Sequence, residues 1–225
     1  MILITGDTHG YFRKIYKNTN IEQLDKNDYV IVTGDFGYMF NKSFSCKMEK
    51  KLLENVDTNI LFVDGNHENF DMLNSYKVEQ WHGGKIHRLS DNIIHLMRGQ
   101  VFEIDNKKIF TFGGAESIDK IWRTPGISWW EAEMPNEEEM NEGLENLKKY
   151  DMNVDYIVTH ALPTSQLHLC AAELGFDMLG DKLTDYLETI EKQVNFKRWF
   201  CGHYHTDSVL DDKHTVLYND IIEFR

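Results

Sequence analysis

Six short apolar runs, each cut off by the same few residue types, constrain this chain more than anything else in it. MILIT (1–5) and YVIVT (29–33) stop at Gly-Asp, NILFV (59–63) at Asp-Gly-Asn, and KIFTF (108–112) at Gly-Gly. DYIVT (155–159) runs into His160, and RWFC (198–201) into Gly202. The runs are β-branched or aromatic and continuous rather than alternating, the pattern of strands buried on both faces. Between them lie helical stripes: Phe44, Met48, Leu52 and Val56; Met140, Leu144 and Leu147; and Leu183, Tyr186, Leu187, Ile190 and Val194. Asn136, with Glu139 three residues on, reads as a capped helix start. Residues 93–112 and 206–224 read instead as hairpins turning at Asp105-Asn106 and Asp211-Asp212. Alternating βα units with added hairpins predict a mixed α/β sandwich rather than a purely doubly wound sheet.

With 225 residues, no repeat and no linker-like tract, the expectation is a single domain spanning 1–225. The acidic, tryptophan-rich segment near 115–139 reads as an insertion that either walls a site or packs as a satellite core. Lys and Arg number 24 against 37 Asp and Glu, a net charge of −13. Such a surface weighs against duplex DNA as a partner but not against an enzyme that neutralises a phosphate locally. No apolar stretch approaches the ~20 residues of a membrane span, and MILITGD turns polar too soon for a signal peptide. Cys46, Cys170 and Cys201 are scattered and lack CxxC spacing. A reducing, cytoplasmic setting suits them better than a disulfide framework.

The chemistry sits where the runs end. Asp7 and His9 lie in GDTHG, Asp35 in GDFGY, Asn66 and His67 in GNHE, His160 at the end of DYIVTH, and His203 and His205 in GHYH. In open α/β sheets the carboxyl ends of strands line the ligand crevice. Carboxylate, amide and imidazole without thiolate favour Mn²⁺, Fe, Zn²⁺ or Ni²⁺ over the oxygen-only shells of Ca²⁺ and Mg²⁺. Seven such ligands exceed one tetrahedral ion and suffice for two if a carboxylate bridges. Two ions roughly 3.5–4 Å apart can clamp a phosphoryl group for in-line displacement.

GDTHG, GDFGY, GNHE, THALP and GHYH resemble the five signature blocks of the calcineurin-like metallophosphoesterase superfamily, across residues 6–205. The resemblance implies a four-layer αββα sandwich of two mixed sheets flanked by helices, holding two divalent ions, Mn²⁺ first among them. It implies hydrolysis of a phosphomonoester or phosphodiester of a small phosphorylated substrate by a metal-bridging hydroxide. Carried over, one ion takes Asp7, His9, Asp35 and His205. The other takes Asp35, Asn66, His160 and His203, and Asp35 bridges. His67 is then the catalytic histidine outside the metal shell, polarising the phosphate or protonating the leaving oxygen. Protein phosphatases of the superfamily follow GD with a further aspartate and an arginine; Tyr38 and Met39 stand here. That disfavours a protein-phosphatase reading and leaves His67 without a known orienting partner. The middle segment resembles small bacterial and prophage-type members.

Arg123 is a cation of the insertion suited to grip a substrate phosphate, with a salt bridge to Glu131 or Glu133 as the plainer expectation. Glu68 reads as a helix-start carboxylate, and Cys201 as a small apolar filler. His82, His87, His95, His168 and His214 read as surface or packing residues. A nuclease or cyclic-nucleotide phosphodiesterase is the alternative reaction, with tryptophans stacking a base. A non-catalytic binding module is the alternative of another class, disfavoured because it needs neither His67 nor the full ligand set.

Overall fold

The computed structural model describes the backbone of residues 1–19, 21–39 and 44–224, and their side chains except at 17–19 and 44–46. Phe44 and Cys46 therefore lie outside the described side chains. In chain order the elements are β1 (Ile2–Thr5), α1 (Arg13–Thr19), β2 (Tyr29–Val32), α2 (Phe44–Leu53), β3 (Asn59–Phe62) and α3 (Phe70–Leu73). Then come β4 (Val78–Trp81), β5 (Gly84–Arg88), β6 (Ile93–Leu96), β7 (Gln100–Ile104), β8 (Lys107–Phe112) and α4 (Glu137–Lys149). The chain ends with β9 (Tyr156–Thr159), α5 (Thr164–Leu174), α6 (Lys182–Gln193), β10 (Arg198–Cys201), β11 (Ser208–Val209), β12 (His214–Val216) and β13 (Ile221–Glu223). All six apolar runs form strands.

Two mixed sheets result. One is ordered β13-β1-β2-β3-β6-β5-β4 and the other β11-β12-β10-β9-β8-β7. β1, β2, β3 and β6 run parallel in the first. β8, β9, β10 and β12 run parallel in the second. Alternate residues of each strand face opposite ways, and the buried clusters follow that alternation. Ile2, Ile4, Ile31 and Leu61 of one sheet meet Ile109, Tyr156, Val158 and Phe200 of the other. Val30, Val32, Ile60 and Phe62 turn outward onto Ile15, Leu53 and Leu73 of the first helices. Phe110, Phe112, Ile157 and Trp199 turn outward onto Met140, Leu147, Leu183 and Leu187 of α4 and α6. The order is helix, sheet, sheet, helix, the four-layer αββα sandwich. Among the described residues no helix is long and apolar enough to cross a membrane.

Several local expectations needed correction. The Asn136–Glu139 capping box opens α4 as read. The α2 stripe holds only in part: Met48 and Leu52 are 49% and 57% exposed, Leu53 is fully buried, and Val56, just past the helix, packs on the core. A strict four-residue repeat drifts about 40° per step around a helix, so it walks off the core. Residues 93–112 are not one meander. β7 and β8 form the hairpin, whereas β6 lies beside β3 in the other sheet, so the chain crosses between sheets at residues 97–99. Likewise β11 and β12 pair, but β13 crosses to flank β1. The β4–β5 hairpin was not expected; His82 and Gly83 turn it with φ of 47° and 94°, the sign pattern of a tight hairpin loop.

Candidate metal centre

The loops after β1, β2 and β3 and those after β9 and β10 converge where the carboxyl ends of both parallel sets meet. Backbone bonds knit them together. Thr8 and His9 N–H donate to the Asp35 carbonyl (3.2 and 2.8 Å), and Gly202 N–H donates to that of His160 (3.2 Å). Lys14 of α1 donates its ammonium to the carbonyls of Gly6 (3.1 Å), Asp7 (2.9 Å) and Tyr218. Burial lowers it to about 8 despite the nearby Asp7 and Asp207. No sequence motif marks this lysine, because its partners are backbone carbonyls of distant segments.

Asp7, His9, Asp35 and His205 form the first cluster: one ligand atom from each lies within 4.8 Å of the others. His9 Nε2 and His205 Nε2 are 3.0 Å apart, and Asp7 Oδ2 is 3.3 Å from His205 Nε2. Asp35 divides its oxygens. Oδ2 is 3.7 Å from His9 Nδ1, while Oδ1 is 3.5 Å from His160 Nε2 and accepts the His67 N–H at 2.7 Å. Around His160 lies the second group. Its Nδ1 donates to the Thr33 carbonyl at 2.8 Å, and its Nε2 is 3.3 Å from Asn66 Oδ1. His203 stacks edge-on to that ring with centroids 5.0 Å apart, and its N–H donates to Asp7. Gly34 and Gly65 leave room for this: a Cβ on either would strike His160, and one on Gly65 would also strike Asp35.

Charge and backbone both mark the centre. Asp7, Asp35, Asn66 and His160 are buried, with His205 at the open rim. Burial pulls His160 down, but Asp35 foremost, with Asp7, outweighs it and raises the ring to about 9. Burial pulls Asp35 up, but His160 and the other imidazoles hold it well below the carboxylate range. Burial and the charge of His160 bring His203 down to about 4. The site thus draws positive charge to the point between Asp35, Asn66 and His160. His9, Asp35, His203 and His205 have φ of 48°, 45°, 71° and 51°, left-handed conformations that non-glycine residues hold only where surroundings enforce them.

The donor set fits divalent ions. A metal-binding imidazole normally gives its other N–H to a carbonyl or carboxylate, leaving a lone pair for the ion. His160 does so through Thr33. Oxygen and imidazole nitrogen converge without thiolate, as Mn²⁺, Fe, Zn²⁺ or Ni²⁺ prefer.

His67 lies beside this centre, its ring 5.3 Å from that of His9. The unknown partner of His67 is Arg123, whose Nη1 and Nη2 lie 3.3 and 3.1 Å from Nδ1 and Nε2. A neutral imidazole has one lone pair, so at most one of these is a hydrogen bond at a time. Burial lowers His67, Asp35 opposes it, and Arg123 adds to the lowering, which prevails. Arg123 does not pair with Glu131 or Glu133: its Nε bonds Asp119 (2.8 Å) and its Nη1 the Ser128 carbonyl. Glu133 takes Lys120 instead. Of the insertion's tryptophans, Trp122 is 84% exposed, while Trp130 is buried and donates to Asp71.

Glu68 is no helix-start residue; Asn69 caps α3. Glu68 is fully buried and accepts the N–H of Phe36 and Gly37, tying the third loop to the second. Burial and Asp35 raise its carboxyl well above the ordinary range. Tyr38 and Met39 are buried in the helix-side core. Cys201 is buried with its thiol pushed up by burial, as suits a filler. His82 and His168 are exposed, whereas His87, His95 and His214 are buried.

A family model described as calcineurin-like phosphoesterase matches residues 1–207. No curated protein matches the chain.

Proposed function

The chain belongs to the calcineurin-like phosphoesterase family, and from that premise we propose that it hydrolyses phosphate esters of small, nucleotide-like molecules at a dinuclear divalent-metal centre. One observation carries the reading: Asp35 directs one oxygen to the His9 side and the other to His160, a carboxylate placed to serve two ions. Asp7, His9, Asp35 and His205 would hold one ion and Asp35, Asn66, His160 and His203 the other, with Mn²⁺ the first choice. Such ions supply Lewis acidity toward phosphoryl oxygens and an activated water near neutral pH.

The remaining work falls to the chain. Arg123, fixed by Asp119 and the Ser128 carbonyl, presents its guanidinium beside His67. The pair forms a clamp for the phosphoryl oxygens, charge-assisted on the arginine side. Burial first, and Arg123 after it, lower the His67 ring, which favours polarising the phosphate over protonating the leaving group as its role. Asp35 holds the His67 backbone by its N–H, tying the clamp to the centre. Buried Cys170 and Cys201 share a cluster as free thiols, which supports a reducing cytoplasm.

The test is a screen of mono-, di- and cyclic phosphate esters with added Mn²⁺, alongside metal analysis of the purified protein. Two ions per chain and turnover abolished in Asp35→Asn are expected. Full turnover in a chelator overturns the proposal. Exposed Trp122, next to Arg123, supports the alternative of a phosphodiester with a stacked base; activity on cyclic or bis-esters alone selects it.

A further inference from the structure

The metal reading includes Asn66, and an asparagine ligates through its oxygen only. Its amide has two nearly isosteric faces, so something must decide which one meets the ion. The decision lies in the insertion. Glu133 is fully buried and accepts three donors: the Ser117 N–H on Oε1 (2.9 Å), the Lys120 ammonium on Oε1 (2.9 Å) and the Ser117 hydroxyl on Oε2 (2.8 Å). A salt-bridged carboxylate has no hydrogen to give, so Ser117 must commit its single hydroxyl hydrogen to Glu133. Its oxygen is then left as an acceptor toward Asn66. The Asn66 Nδ2 lies 3.0 Å from that oxygen and is the only part of the amide that can satisfy it. Oδ1 is thereby turned to the other side, 3.3 Å from His160 Nε2.

We propose that Glu133 and Ser117 are positioning residues that set the Asn66 amide with its oxygen toward the metal centre, so that the insertion governs loading of the second ion. This rests on the dinuclear reading above and adds to it two residues, 51 and 67 positions along the chain from the asparagine they control.

The directionality gives a sharp test. In Glu133→Gln the two donors at Oε1 remain, so the new amide oxygen takes that place. Its NH₂ then faces Ser117, which must accept there and turn its own hydrogen on Asn66. The Asn66 amide reverses and presents N–H groups to the ion. Mn²⁺ binding, read by titration calorimetry and by spin coupling in electron paramagnetic resonance, should show two ions in the wild type. In Glu133→Gln the second should bind about 10- to 100-fold more weakly, the range typical when a ligand's supporting partner is lost. Ser117→Ala, which only frees the amide, should lose less.

The rescue is the discriminating arm. Asn66→Asp has no amide to misorient and accepts the reversed Ser117 hydrogen, so Glu133→Gln/Asn66→Asp should regain two coupled ions. A structural defect at Glu133 would not be repaired from position 66. Unchanged affinity in Glu133→Gln, or a loss that Asn66→Asp fails to restore, overturns the relay while leaving the two-ion reading intact. A wild type that binds fewer than two ions overturns that reading, and the relay with it.

Discussion

At the scale of single residues, the position of Asp35 between the two groups separates it from every other candidate ligand. His9 contributes to one cluster, whereas Asp35 touches both and also anchors the His67 backbone. Asp35→Asn should therefore lose both ions and all turnover, while His9→Ala should retain one ion; metal counts per chain decide it, and equal losses mean that Asp35 does not bridge. His67→Ala should keep its metals yet slow turnover about 10²–10³-fold, as when one preorganised donor to a developing oxyanion is removed. If the ring polarises the phosphate, as proposed, that loss should be similar for nitrophenyl and alkyl esters. A loss confined to poor leaving groups would restore proton donation as its role. Arg123→Ala should lower kcat/KM about 10- to 100-fold with metal content unchanged, the range of a charge-assisted hydrogen bond. A changed melting temperature with unchanged kinetics would make it scaffold.

At the scale of elements, β5 and β6 bring two buried imidazoles together. His87 and His95 stand opposite each other in the antiparallel register, Nδ1 to Nδ1 at 3.2 Å, and His95 Nε2 reaches Asp64 Oδ1 at 3.1 Å. Burial, then His95, brings His87 from 6.5 down to about 4, against the pull of Asp64. Below pH 6.5 the unfolded chain takes a proton that the fold refuses until about pH 4. The unfolded state holds more protons in that window, so stability is full above it and falls as pH drops through it. In chelator, His87→Gln should show a smaller drop in melting temperature between pH 7 and pH 5 than the wild type. An equal drop excludes His87 as the cause. The element scale is also where the sequence was most and least legible. Continuous apolar runs identified the buried strands and placed the candidate-ligand motifs at their ends. Nothing local told β6 from β7 as members of different sheets, since a hairpin pattern names a turn and not a partner. Edge strand β4, reading Val-Glu-Gln-Trp, carried too little apolar signal. Ser117, Glu133 and Lys14 stayed hidden because their roles exist only through partners far along the chain.

At the scale of the whole molecule, the centre joins the two sheets. Asp7, Asp35 and Asn66 follow strands of one sheet, and His160, His203 and His205 follow strands of the other. An ion held between them would bind the folded chain alone and so stabilise it by mass action. At a hundredfold excess over its dissociation constant one ion contributes about 2.7 kcal/mol, or roughly 5–11 °C of melting temperature in a chain of this size. Chelation should remove that increment and Mn²⁺ should restore it. An unchanged melting temperature would mean that the sheets meet without help from the ions.

The left-handed backbones at His9, Asp35, His203 and His205 set two selection pressures against each other. Each such conformation costs about 1–3 kcal/mol in a residue with a side chain, and glycine would relieve it. A library of variants selected only for surviving heat in chelator should therefore drift to glycine at these four positions. The same library selected for turnover should keep imidazole and carboxylate there and recover its stability elsewhere. Sequencing both pools would show how much fold stability this chain gives up to hold its ligands in place.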